Sequence, residues 1–481
     1  METMAVTFLK KLPRILIWLC LISLFFAINY VIIDSYNSFQ GHPTQSKTSD
    51  MHKSKAVAYS NASAKLKKNN IVNHDKIKDK QAGTKKKESQ ESKLHKSKPK
   101  KSEYADQLLK LTNKTPRKII DIMGLPPIKF DQRYKNPCFI GDVSNPLFQD
   151  GRLHCLPYFY IIGVKKSGTS DFFNRIAAHP EFQTPSFKEA QWFPRLRAGI
   201  DTKFITERSD FINTIQKGID NRSIKFYISM FDSAADGIQN CTRRRVTTNK
   251  CITAEATPAN LHMHTGWKLM PGNEGLTEPR YTNFHYIKHL TPDVKIIIIF
   301  RNPVSRLFSD FMHQIKLSSE HNIDEHEAAN KFHHVAKTLI DEYTICFDKF
   351  SMRRCIYDEE FEKGLPQGSQ YLAESFRAGF YAFYMEELLS VFQEDQLFVI
   401  NMEQYLTKTR QTLKETFKFL NMSAISSREL SEILNFNVSN ESKKHYDMLP
   451  KTKHLLYEFY KPYNKQMATL LKDNSFLFPE R

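Results

Sequence analysis

The chain has 481 residues and a formal net charge of +18, with 70 Lys and Arg against 52 Asp and Glu. That length suits one large domain or two ordinary ones. Residues 41–101 alone hold 17 Lys against 5 acidic residues, a local +12, so the basic character belongs to a segment and not to the fold. This excludes a domain that is cationic throughout, and no nucleic-acid partner is expected.

Ile15 to Ile33 is an uncharged run of 19 residues, preceded by Lys10, Lys11 and Arg14 and followed by Asp34. About 20 apolar residues cross a bilayer as a helix, and the flanking positive charge keeps residues 1–14 cytoplasmic. A cleaved signal peptide has an apolar core of only about 7–15 residues and a small-residue cleavage site. Residues 15–33 therefore read as an uncleaved signal anchor of a type II membrane protein. Residues 34–116, rich in Lys, Ser, Asn and Gln, bury too little apolar surface to order and read as a disordered basic stem. The stem serves as a spacer, as a charge-based hold on a sulfated glycan, or as both.

Cysteine usage agrees with a lumenal placement. Beyond Cys20 in the span, six remain in three local pairs: Cys138 with Cys155, Cys241 with Cys251, and Cys346 with Cys355. These local pairings are favoured, although six cysteines allow 15 connectivities. Acceptor sequons start at Asn61, Asn113, Asn221, Asn240, Asn421, Asn437 and Asn440.

Residues 117–157 form a lead-in with several prolines and two of the cysteines, expected to be an irregular flap tied to the first strand. The main domain is expected over 158–481. Tyr158 to Val164 is continuously apolar, as suits a strand buried on both faces of a parallel sheet. Lys165, Lys166, Ser167, Gly168, Thr169 and Ser170 follow, and then a helical pattern through Phe172, Phe173 and Ile176. Strand, glycine turn, helix aims free backbone N–H groups at an anion. The lysines precede Gly168 and no Gly-Lys-Ser/Thr occurs, so this is not a Walker A loop.

Further along, a helical face is expected over 204–219, and Cys251 to Ala256 reads as a short strand. Ile296 to Phe300 is a second buried strand. Asn302-Pro303 then opens a helix with Leu307, Phe308, Phe311 and Ile315 inward. Arg301 stands at the strand's C-terminal end, where open parallel sheets collect ligands. Helices are expected over 328–343 and 376–392, and a strand over 396–402. A basic turn at Lys443 and Lys444 precedes a last helix with Leu455, Leu456, Phe459, Tyr463, Met467 and Leu470 inward.

The stretches RLHCLPYFYIIGVKKSGT, FKEAQWF, FRNPVSRLFSDF and MLPKTKHLLYEFYKPYN together resemble the Golgi carbohydrate sulfotransferases. The resemblance implies a P-loop-like α/β domain whose parallel sheet is flanked by helices. It also implies 3′-phosphoadenosine 5′-phosphosulfate (PAPS) as sulfuryl donor. By that resemblance residues 165–170 hold the 5′-phosphosulfate, Arg301 and Ser309 hold the 3′-phosphate, and Lys443 and Lys444 close over the nucleotide. Lys166 would also neutralise the leaving group. Glu189 is the implied general base, with Glu255 as the second candidate. The implied acceptor is a sulfated glycosaminoglycan, with transfer to the 6-O position of N-acetylgalactosamine (4-sulfate) in chondroitin or dermatan sulfate.

A heparan sulfate acceptor is the alternative, weakened by Gln191 standing where the heparan 3-O-enzymes have histidine. A nucleotide kinase and a non-catalytic, membrane-tethered glycan-binding protein are further alternatives. The first lacks the Walker lysine, and the second leaves the intact Lys166, Glu189, Arg301 and Ser309 unexplained. No metal is called for, since His262-x-His264 reads as two loop histidines. Oligomeric state stays open.

Overall fold

The structure, a computed structural model, describes residues 119–143, 145, 147–200, 222–241, 249–318, 323–436 and 447–480. The expected cytoplasmic tail, membrane span and stem lie outside the described residues. So do the helical face over 204–219 and the basic turn at Lys443 and Lys444. Among the described residues no helix is long and apolar enough to cross a membrane.

Two short strands, β1 (Cys138–Ile140) and β2 (Leu153–Cys155), pair antiparallel. The apolar runs then become β3 (Phe159–Gly163), β4 (Ala254–Glu255), β5 (Lys295–Phe300) and β6 (Leu397–Asn401). These four form one parallel sheet in the order β4–β3–β5–β6, with Phe159 opposite both Ala254 and Lys295. Successive side chains on a strand point to opposite faces. Phe159, Ile161, Ile297 and Ile299 accordingly enter one core, while Tyr160, Ile162, Ile296 and Ile298 enter the other. Burial on both faces accounts for the unbroken apolar runs, each large side chain contributing about 1.5–3 kcal/mol.

Helices cover both faces. α1 (Thr169–Ala177) packs Phe172, Phe173 and Ile176 against the Phe159 side. α2 (Pro303–Leu317) packs Leu307 and Phe311 against the Tyr160 side. Asn302 caps α2, its Oδ1 accepting from the Val304 N–H at 3.0 Å, and Pro303 sits at the first turn where no donor is needed. α3 (Glu325–Lys349), α4 (Gln370–Arg377), α5 (Tyr381–Leu389) and α6 (Pro450–Leu471) build out the second side.

Several expectations shift in detail. The lead-in is more regular than expected: β1 and β2 form a ladder bridged by Cys138–Cys155. Asn136 anchors this ladder to the sheet, donating to Leu156 O at 2.9 Å and accepting from Thr253 N at 2.9 Å. The pairs Cys241–Cys251 and Cys346–Cys355 are present too. The helix expected over 376–392 is two helices, parted at residues 378–380. There a Cβ on Gly379 would lie 2.7 Å from the Tyr460 ring, so a side chain at this crossing with α6 would displace it. On α6 the most buried face runs through Thr452, Leu456, Tyr460, Asn464 and Met467, leaving Leu455, Phe459 and Tyr463 half-buried. An apolar-only reading misses that face because two of its positions are polar.

Candidate functional site

β3 and β5 are neighbours, so their C-terminal ends open side by side, where parallel sheets of this kind hold ligands. The loop after β3 is tied down by Val164, whose N–H donates to Ile299 O at 3.0 Å. Lys166 (φ 66°) and Gly168 (φ 73°) both take the left-handed conformation. Only glycine adopts it without strain, which is why Gly168 opens the helix. No side chain among the described residues caps α1, so its first N–H groups face out of the helix end. Ser167 is fully buried, and its Oγ has no partner among the described residues. Uncapped donors, an orphaned hydroxyl and a left-handed turn together fit an oxyanion.

The Lys166 ammonium makes no ion pair among the described residues. Burial, and then the charges of Arg301, Lys165 and Lys316, pull its pKa below the ordinary lysine value, against the opposing pull of Asp310. Arg301, at the end of β5, donates through Nη1 to the Lys166 carbonyl at 2.9 Å. Its own carbonyl accepts from the Tyr381 hydroxyl at 2.7 Å. The two positive signals, 135 residues apart, thus meet at one edge of the sheet. Ser309 lies two turns along α2, half-buried, with His313 and Lys316 following at helical spacing. His313 and Lys316 sit within electrostatic reach of Lys166, and sequence reasoning missed both. The i, i+4, i+7 spacing from Ser309 was the signal that pointed to them.

Lys165 behaves differently from its neighbour. Its ammonium is spent inward on Asp310 at 2.9 Å and Glu374 at 3.1 Å, so it braces the loop, whereas Lys166 is left without such a pair among the described residues. Glu374 on α4 is a hub, taking His262 Nε2 at 3.1 Å and Arg195 Nη2 at 3.6 Å as well. Burial alone would raise the Glu374 carboxyl, but Lys165, His262 and Arg195 outweigh it and hold it well below the carboxylate range. Burial pulls His262 down to about 4, so it stands neutral at pH 7 and donates to Glu374. His264 does not join it. That ring lies in the core, between Phe284 and Tyr357, and accepts from Asn283 N.

Glu189 lies on a turn beside the end of β4. Lys188 Nζ meets its Oε1 at 2.6 Å and Gln191 Nε2 donates to its Oε2 at 3.2 Å. The turn is held from below. Ala256 N donates to Lys188 O at 3.1 Å, and Gln191 N donates to Thr257 Oγ1 at 3.2 Å. Glu255 is almost wholly buried, accepting from Ala190 N at 3.4 Å, Asn260 Nδ2 at 2.7 Å and the Thr257 hydroxyl. Burial raises its carboxyl to about 7 against those hydrogen bonds. Of the two candidate bases, Glu189 is the one with exposed oxygen, and Glu255 positions the turn that carries it.

Residues 157–356 match the family model described as "Sulfotransferase family". That stretch of the chain is similar to the sulfotransferase family. Within the matched residues fall the loop 165–170, Glu189, Glu255, Arg301 and Ser309, while Glu374 and Tyr381 lie beyond them. The chain is similar to carbohydrate sulfotransferase 15 of Mus musculus, 28% identical over 348 residues, 70% of this chain and 57% of the relative. The same protein of Homo sapiens is 27% identical over the same shares. The aligned region thus spans just over half the length of these relatives. A solved sulfotransferase from Alicyclobacillus acidocaldarius is 19% identical, covering 66% of this chain and 96% of its own, with a TM-score of 0.38.

Proposed function

We propose that the chain transfers a sulfuryl group from PAPS to a hydroxyl of a glycosaminoglycan, at the 6-O position of N-acetylgalactosamine (4-sulfate) in chondroitin or dermatan sulfate. The observation that carries the reading is the contact of Arg301 with the Lys166 carbonyl, which gathers two cationic sites for one doubly phosphorylated donor. The residues fit that donor: Ser167, Gly168, Thr169 and Ser170 offer the 5′ end backbone N–H groups and hydroxyls. Arg301 and Ser309 supply a cation and a hydroxyl to the 3′-phosphate. Lys443 and Lys444 are assigned to close over the nucleotide.

In the transfer, the acceptor oxygen forms a bond to sulfur as the bond from sulfur to the bridging phosphate oxygen breaks. The acceptor proton passes to the Glu189 carboxylate, and the electron pair leaves with adenosine 3′,5′-diphosphate (PAP). Lys166 faces the charge that grows on that oxygen, the usual role of a prepositioned cation in such displacements. Lys188 and Gln191 orient Glu189, and a base so placed contributes roughly 10²–10⁴ in rate. The reading includes a Golgi location, with residues 15–33 as a type II anchor and the catalytic domain lumenal.

The test offers labelled PAPS with chondroitin 4-sulfate, unsulfated chondroitin and heparan sulfate, followed by disaccharide analysis. Label at the 6-O position of the 4-sulfated residue is the expected result. A strong preference for heparan sulfate would overturn the acceptor assignment, and no transfer to any of them the reaction itself.

A further inference from the structure

Arg195 and Arg197 stand two residues apart on the turn after Glu189 and have opposite fates. Arg197 is buried and lies over the Tyr286 ring, 3.8 Å from its centroid. Arg195 keeps 27% of its side chain exposed, and among the described residues its one contact with an acidic group is Glu374 Oε2 at 3.6 Å, too long for a hydrogen bond. Its base is rigid. Trp192, Phe193 and Leu196 are buried around it, and the N–H groups of Arg195 and Leu196 both donate to Gln191 O. A guanidinium has five donors in a planar fork suited to a carboxylate or sulfate, and among the described residues none of them is spent on a hydrogen bond. Glu374 links this fork to Lys165 on the donor loop, while Gln191 on the same turn touches the proposed base.

The geometry points to Arg195 as the residue that reads an oxyanion on the acceptor, a sulfate ester or a uronate carboxylate, with Glu374 as its positioning residue. This rests on the glycosaminoglycan reading above and adds which side chain selects the charged acceptor. Glu374 aims the fork without filling it, because its other oxygen already takes Lys165 and His262.

The test uses the full chain in detergent, as wild type, R195Q and R195K. Four acceptors are offered: chondroitin 4-sulfate, unsulfated chondroitin, carboxyl-reduced chondroitin 4-sulfate, and a polymer both desulfated and carboxyl-reduced. R195Q should cut the kcat/KM preference for charged over neutral acceptor by about 10- to 100-fold, the worth of a charge-assisted hydrogen-bonded pair. The loss should fall on KM, R195K should restore part of it, and PAP affinity by calorimetry should be unchanged. Whichever singly charged polymer keeps the sensitivity identifies the group as sulfate or carboxylate. An unchanged charged-to-neutral ratio, or weakened PAP binding, would show that Arg195 only neutralises Glu374 and would overturn the assignment. If the wild type sulfates none of the polymers, the proposed reaction fails separately. Calorimetric binding of the same polymers to wild type and R195Q then still decides the role of Arg195.

Discussion

The two halves of the site are built in different ways. The half proposed for the donor consists of two strand–loop–helix units, β3 into α1 and β5 into α2. Their loops lie side by side because the strands are neighbours. The half proposed for the acceptor is the turn over Glu189 to Arg195, a segment without a strand of its own among the described residues. It is held by Glu255 and Thr257 from one side and by Glu374 from the other. Side chains mounted on a turn can be substituted without disturbing the sheet, whereas a cradle made of backbone and strand ends cannot.

Substitutions that affect one half and spare the other sharpen that contrast. E189Q should have the largest effect, lowering kcat by roughly 10²–10⁴ while PAP affinity stays at the wild-type value. Loss of PAP binding in E189Q would erase the division. K166A should lower kcat/KM by roughly 10²–10³, with an unchanged melting temperature, since the Lys166 ammonium makes no ion pair among the described residues. An E189Q-like profile with intact leaving-group dependence would contradict the role given to Lys166.

Glu255 gives the next effect, in stability against pH. Burial lifts its carboxyl from the ordinary 4.5 to about 7. Below the lower value folded and unfolded chains both hold the proton. Between the two the unfolded chain releases it and the folded chain keeps it, so stability falls as pH rises and levels off above about 7. The full drop is roughly 3 kcal/mol at 1.36 kcal/mol per unit. Denaturant melts from pH 4 to 8 should show it in the wild type, and E255Q should flatten this part of the slope. An identical slope in both would place the proton elsewhere. S309A should have the smallest effect, a loss of PAP affinity of roughly 3- to 10-fold without loss of stability, because its hydroxyl has no partner within the described residues.

The donor half was legible in the sequence because each part is local. Two continuous apolar runs, Tyr158 to Val164 and Ile296 to Phe300, marked its strands, Gly168 the turn, and Asn302-Pro303 the start of α2. Spacing alone could not say that Lys165 and Lys166 diverge, since Asp310 and Glu374 claim the first from far along the chain. The acceptor half was legible only as a motif around Glu189. Its supports, Glu255, Glu374 and His262, arrive through tertiary contacts that no periodicity announces. The same holds for buried Arg306, whose guanidinium is spent on Ser375 and Tyr381. It also holds for the break at Gly379, set by the ring of Tyr460 on another helix.

The central claim is that one nucleotide is gripped by both loops of the donor half. A crystal structure of the protein with PAP tests it most directly. The account predicts the 5′-phosphate against the N–H groups of residues 167–170 with Lys166 beside it, and the 3′-phosphate within hydrogen-bond distance of Arg301 and Ser309. A nucleotide bound away from either group, or one phosphate left in solvent, would contradict it.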